Sequence, residues 1–236
     1  MLSTDKQLKE IERILKSYLR LPFSSENIPG AIMEGVFGYV RGDEVLETYD
    51  FVDVVNKDKK TGWQVKSTKS TTPVTWKRAK LAGSDQLILE STQSKEALQI
   101  LGDRIIDFCN EHIWKSFEDY DLDVIGYSRL ISFKNGDLKY FEKELSTRDN
   151  PNVFDKDDFE WRWSVPKKTS KKEQLPALHG THLPTGKKWW AWHGRGENQL
   201  HFTGEKYWWP EQPQLDFKFP ENKIELERLI HFLDSL

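Results

Sequence analysis

The chain has 236 residues, 37% of them hydrophobic and 31% charged, a composition that excludes a disordered polymer and allows a core of ordinary size. Its formal charge of −3 gives no broad basic footprint, no apolar run approaches the ~20 residues of a membrane helix, and the first residues lack the apolar stretch of a signal peptide. Cys109 is the only cysteine, which excludes an intrachain disulfide and a cysteine-built zinc site; a reducing, cytoplasmic setting is expected.

Leu8, Ile11, Leu15, Tyr18 and Leu19 recur at helical spacing behind Thr4, which predicts a capped first helix. Pro29 predicts the start of a second, carrying Ile32, Val36, Phe37 and Val40. Residues 49–55 and 62–68 are β-forming runs joined by a polar turn, a hairpin that should bury Phe51, Val52, Val54, Trp63 and Val65. Residues 70–84, polar, basic and broken by Pro73, are expected to be a loop or a short helix, and residues 85–91 are ambiguous. Residues 94–117 form the clearest helix, with Ala97, Leu98, Leu101, Ile105, Phe108 and Ile113 on one stripe and Cys109 in the core.

A strand over residues 122–133, the turn Asn135-Gly136 and a returning strand over 137–145 make a second hairpin. Residues 159–165 alternate as a strand, 167–186 are expected to be a loop, and two Trp-rich strands follow near 188–192 and 199–202. Residues 221–236 predict an amphipathic helix through Ile224, Leu226, Leu229, Ile230 and Leu233. This order predicts one α/β domain over residues 1–236 with a C-terminal Trp-rich β elaboration.

The first hairpin also carries Asp50, Asp53, Gln64 and Lys66. Alternation puts Gln64 and Lys66 on one face. A turn centred on residues 57–59 lays Asp50 across from them, and a slip of one or two residues lays Asp53 there instead. Either pairing gathers a carboxylate, an amide oxygen and an ammonium, the oxygen ligands and neighbouring amine suited to Mg²⁺-assisted phosphodiester hydrolysis. The bland alternative is a solvated hairpin face.

An acid opening one strand, followed by an acid-or-amide, any residue and lysine on its antiparallel neighbour, resembles the PD-(D/E)xK nuclease superfamily, best known from type II restriction endonucleases; here the residues are YDFVDVV and GWQVKSTKS. Glu34, in PGAIMEGVF, sits where many members place a helical glutamate. The resemblance covers about residues 29–133 and implies a restriction-endonuclease-like core, a mixed β-sheet flanked by helices. It makes Asp50 the first metal ligand with Asp53 the fallback, Gln64 the second ligand, Lys66 the catalytic lysine and Glu34 an auxiliary ligand, with Mg²⁺ as cofactor. Three features depart from the pattern: Tyr49 replaces the proline before Asp50, Gln64 replaces an acid, and the strand between the helix and the first acid is not obvious.

Residues 66–80 carry five basic residues and no acid, and Lys69, Lys77, Arg78 and Lys80 are candidates for DNA phosphate contacts. Seven of the ten tryptophans lie beyond residue 160, and residues 159–209 are expected to read DNA. In the loop between the Trp-rich strands Arg195, Asn198, Gln199 and His201 offer donors and acceptors for base edges, while the tryptophans form a rigid wall. His179 and His182 have the spacing of paired zinc ligands but no third or fourth partner, and Glu142, Glu144, Asp157, Asp158 and Glu160 are expected on a solvated face.

The expected function is therefore a type II restriction endonuclease-like enzyme that recognises a specific double-stranded DNA sequence and hydrolyses it with Mg²⁺, as a homodimer matched to a palindromic site and without a membrane partner. The alternatives are a less specific repair or effector nuclease on the same core, or a non-catalytic Trp-rich module gripping nucleic acid or sugar.

Overall fold

The computed structural model describes residues 1–48, 50–168 and 173–236. Tyr49 of the Tyr-Asp pair and residues 169–172 of the loop expected over 167–186 lie outside the described residues. In chain order the elements are α1 (Asp5–Leu19), α2 (Gly30–Arg41), β1 (Glu44–Val45), β2 (Val54–Asn56), β3 (Thr61–Lys69), β4 (Val74–Arg78), α3 (Ser84–Glu90), α4 (Lys95–Asp119), β5 (Val124–Ser132) and β6 (Asp137–Thr147). They continue with β7 (Phe159–Trp163), β8 (Lys167–Lys168), β9 (Glu173–Gln174), β10 (Leu178–His182), β11 (Lys187–Trp192), β12 (Gln199–Phe202), β13 (Leu215–Lys218) and α5 (Leu226–Leu233). Among the described residues no helix is long and apolar enough to cross a membrane. The chain divides into two compact units: Met1–Thr72, Ser116–Thr147 and Trp209–Leu236 form the first, Pro73–Lys115 and Arg148–Trp208 the second.

The first unit is built on a six-stranded mixed sheet in the order β1-β2-β3-β5-β6-β13. Its one parallel pair, β3 with β5, sets Gln64 beside Tyr127 and Lys66 beside Arg129. Helix α1 starts on a reciprocal cap: the Thr4 N–H donates to the Gln7 side chain at 2.9 Å and the Gln7 N–H donates to the Thr4 hydroxyl at 3.3 Å. Helix α2 ends at Gly42, whose φ of 70° favours glycine. Ile11 and Leu15 of α1 and Met33 and Phe37 of α2 pack on Val54, Trp63, Val65, Leu130 and Tyr140 of the sheet. Each such side chain, fully buried, stabilises the fold by about 1.5–3 kcal/mol. A Cβ at Gly126 would come within 2.6 Å of the Trp63 ring, so only glycine lets that indole lie across β5.

The first hairpin differs from its expected extent: only Val54–Asn56 pairs with β3, although Phe51, Val52, Val54, Trp63 and Val65 are all buried as its pattern requires. The strand not evident between the second helix and the acids is present as β1, pairing antiparallel with β2. At the second hairpin the Gly136 N–H donates to the Phe133 carbonyl at 3.1 Å and Gly136 has φ 85°, a turn closed by a left-handed glycine. Glu142 is not on a solvated face; it is 2% exposed and accepts hydrogen bonds from the Ser3 N–H and hydroxyl and from the Tyr140 hydroxyl. The C-terminal helix forms, but none of its residues is buried.

The second unit carries a five-stranded antiparallel sheet in the order β4-β12-β11-β10-β7. Two of its strands correct the sequence reading. Residues 70–84 contain β4, where Val74 and Trp76 alternate inward, and residues 167–186 contain β10. The ambiguous residues 85–91 fall on α3. Trp76 meets Trp190, Phe202 and Phe154 edge to face, with ring centroids 5.7, 5.1 and 5.4 Å away. Trp161, Trp189, Trp190 and Trp192 are buried, so the tryptophans form a packed wall.

Candidate metal centre

Trp63 and Val65 point into the core beneath α1 and α2, so strand alternation sends Gln64 and Lys66 to the opposite face. On β2 the ladder ends at Val54, and Asp53 continues it by other means. Its N–H donates to the Trp63 carbonyl at 2.8 Å, and its carboxylate Oδ2 accepts the Val65 N–H at 2.7 Å. The same oxygen lies 3.4 Å from Lys66 Nζ, and the Asp53 and Lys66 side chains remain 20% and 21% exposed. Of the two acids the hairpin left open, Asp53 is therefore the one beside Lys66. Asp50 accepts a hydrogen bond from the Tyr120 hydroxyl, whose acidity burial lowers first and this bond lowers further.

Gln64 is 2% exposed, and among the described residues its Oε1 has no hydrogen-bond partner. An orphaned buried acceptor costs about 1–3 kcal/mol, which a bound cation offsets. Glu34 lies on α2, where burial holds its carboxyl above the usual carboxylate range; the Asp53 charge adds to that shift and the Lys66 ammonium opposes it. A carboxyl whose charge burial and a neighbouring carboxylate disfavour, that neighbouring carboxylate and an unpartnered amide oxygen are groups a hard divalent cation could take as oxygen ligands. Among the described residues no group of three or more His, Cys, Asp and Glu side chains gathers that could hold a metal ion.

Residues not singled out by sequence complete this face. Tyr127 lies beside Gln64 and Lys143 beside Tyr127, on neighbouring strands. Burial pushes the Tyr127 hydroxyl up and the Lys143 ammonium down. Trp209 stacks over Tyr127 and Phe141 at centroid distances of 5.6 and 5.2 Å. Arg129, 6% exposed, donates from Nε and Nη2 to the Thr68 hydroxyl at 2.9 and 2.6 Å, which ties its guanidinium to Lys66's strand. The alternation of Tyr127 and Arg129 is visible in sequence, but their place beside Gln64 and Lys66 follows from a parallel register that no local pattern encodes.

The candidate DNA contacts divide between the units. Lys69 is an exposed residue of the first; Lys77, Arg78, Lys80, Arg195, Asn198, Gln199 and His201 belong to the second. Arg78 stands directly opposite Gln199 across β4 and β12. The Arg195 guanidinium lies 4.8 Å over the Trp163 ring. Asn198 has φ 54° and its carbonyl accepts the Ala79 N–H at 2.8 Å, so it shapes the turn. Gln199 Oε1 is 3.0 Å from His201 Nε2. As for zinc, His182 bonds Thr185 through Nδ1 at 3.0 Å and stacks on Trp189 at 3.7 Å.

No family model, curated protein or solved structure matches this chain.

Proposed function

We propose that the chain is a Mg²⁺-dependent endodeoxyribonuclease of the type II restriction endonuclease kind, cutting double-stranded DNA at a specific sequence as a homodimer. The observation that carries this reading is the convergence of the Asp53 carboxylate, the orphaned Gln64 amide oxygen and the Lys66 ammonium on one sheet face, with the Glu34 carboxyl coupled to both charges. The short strand β1 between α2 and the acids supports it, because the resemblance calls for a strand there.

Asp53, Gln64 and Glu34 would hold the cation. Bound there, Mg²⁺ supplies charge neutralisation at the phosphate and a more acidic water. Lys66 keeps its Nζ beside the Asp53 carboxylate, where an N–H can orient the attacking water. The water oxygen bonds to phosphorus as one ester P–O bond breaks; one water proton ends on the leaving oxygen, giving a phosphate monoester and a free hydroxyl. Lys69, Lys77, Arg78 and Lys80 are the proposed phosphate contacts, and Arg195, Asn198, Gln199 and His201 the proposed base-reading set.

Incubation with supercoiled plasmid and Mg²⁺ tests this reading. Discrete linear fragments that disappear with chelator support a site-specific nuclease, a smear points to the less specific repair or effector enzyme, and binding without cleavage points to the non-catalytic module.

A further inference from the structure

The strand registers of the second unit sort two rows of residues onto the two faces of its sheet. Trp161, Gly180, Trp190, Phe202 and Val74 lie side by side across β7, β10, β11, β12 and β4, and form the aromatic core. The adjacent row, Arg162, His179, Ala191, His201 and Thr75, projects from the other face. Ala191 is the small residue in the middle of that row, and it leaves a hollow between the two imidazoles. A β-bulge between Gly180 and Thr181 sets Lys188 opposite Thr181, which adds an ammonium to this face.

The hollow is a cavity of about 240 Å³ lined by His179, Lys188, His193, His201 and an apolar wall that includes Val165 and Leu175. Among the described residues no carboxylate lines it. Burial lowers the proton affinity of His193 and His201, His193 lowers that of His201 further, Lys188 lowers both and Glu197 opposes, so a bound anion would offset these shifts. A metal cation fits poorly, because the lysine repels it and no three ligands gather among the described residues. The volume is below the roughly 300–1,000 Å³ of a drug-sized ligand site, and several N–H donors around a small space match a group with several oxygens.

We propose that this cavity is a phosphate-binding site, with Lys188, His193 and His201 as donors to the phosphate oxygens and the apolar wall seating the attached sugar. It stands on the second unit alone, holds whether or not the first unit is a nuclease, and gives His201 a phosphate contact in place of the base contact assigned to it above. The phosphate belongs either to a free small molecule or to a nucleic-acid strand.

Calorimetric titration of the full chain in chelator, with inorganic phosphate, a 5′-phosphorylated deoxynucleotide and a double-stranded oligonucleotide as separate probes, tests it. At least one probe should bind. Lys188→Gln, at an exposed position where the fold does not depend on the side chain, should weaken that probe about tenfold or more, the effect of losing one charged hydrogen bond. His201→Gln should weaken it as well, while Lys66→Ala should leave it unchanged. Preference for the oligonucleotide assigns the strand as source, and preference for phosphate or the nucleotide assigns a free ligand. No binding by any probe, or equal binding by the folded Lys188→Gln variant, overturns the proposal.

Discussion

Asp53 Oδ2 lies 2.7 Å from the Val65 backbone nitrogen and 3.4 Å from Lys66 Nζ, so one carboxylate closes the β2–β3 ladder and faces the candidate catalytic lysine. The two roles separate by substitution. Asp53→Ala strips a buried N–H of its acceptor and should destabilise the first unit by about 1–3 kcal/mol in urea unfolding. Asp53→Asn keeps an acceptor oxygen and should fold nearly as well, yet lose DNA cleavage. Wild-type stability of the alanine variant would show that the bond contributes nothing.

The hairpin acids should differ in the same assay. Asp50→Asn, whose side chain is held by the Tyr120 hydroxyl, should retain cleavage within about threefold. If it is inactive while Asp53→Asn cleaves, Asp50 is the metal ligand instead.

Much of this was legible in sequence, and the acid was not. The helices α1, α2 and α4 and the strands β5, β6, β11 and β12 follow from strong local periodicity and turn chemistry. Which acid meets Lys66 depends on the hairpin register, and that is set by the turn. Asn56 pairs with Thr61, the Lys59 N–H donates to the Asn56 side chain at 2.8 Å, and Lys60 takes φ 49°. The polar segment 56–61 announces a turn, but not which residues it pairs. In the same way β10 hides because Gly180 replaces an apolar residue to make room for Trp161, and β4 hides behind Pro73 in a polar stretch. Glu142 looked solvated because its partners, Ser3 and Tyr140, are supplied by tertiary packing.

Glu34→Gln should raise the melting temperature in chelator by about 1–2 °C, because it removes a charge that burial and Asp53 disfavour. The folded-state pKa is raised, so the carboxylate's cost appears as pH climbs above its ordinary value of 4.5 and grows until pH passes the raised folded value. Mg²⁺ should stabilise the wild type and lose most of that effect in the variant. A variant less stable in chelator, with an undiminished response to Mg²⁺, would remove Glu34 from the site.

The second unit should lose stability in acid. Burial lowers the pKa of His112, His182, His193 and His201, so the unfolded chain binds protons more readily than the folded unit. The sign follows: stability is fully present above the ordinary histidine pKa of 6.5 and falls as pH drops through the lower folded values. Tryptophan fluorescence during urea unfolding at pH 7.5 and pH 5 checks this, and equal midpoints would contradict it.

Gly102→Ala should be among the most damaging single-carbon changes in the second unit. A Cβ there would lie 2.1 Å from the Trp161 ring, and an indole has no flexible end to withdraw. The expected loss is about 1–3 kcal/mol by thermal or chemical unfolding, and Gly35→Ala, where the added carbon meets nothing within 4 Å, is the control.

The most direct test is plasmid DNA incubated with wild type and Lys66→Ala, each with Mg²⁺ and with chelator. The account predicts discrete cleavage by wild type only with Mg²⁺, and none by a folded Lys66→Ala variant that still binds the DNA. Equal cleavage by both proteins, or no cleavage by wild type across a long mixed-sequence substrate, would contradict it.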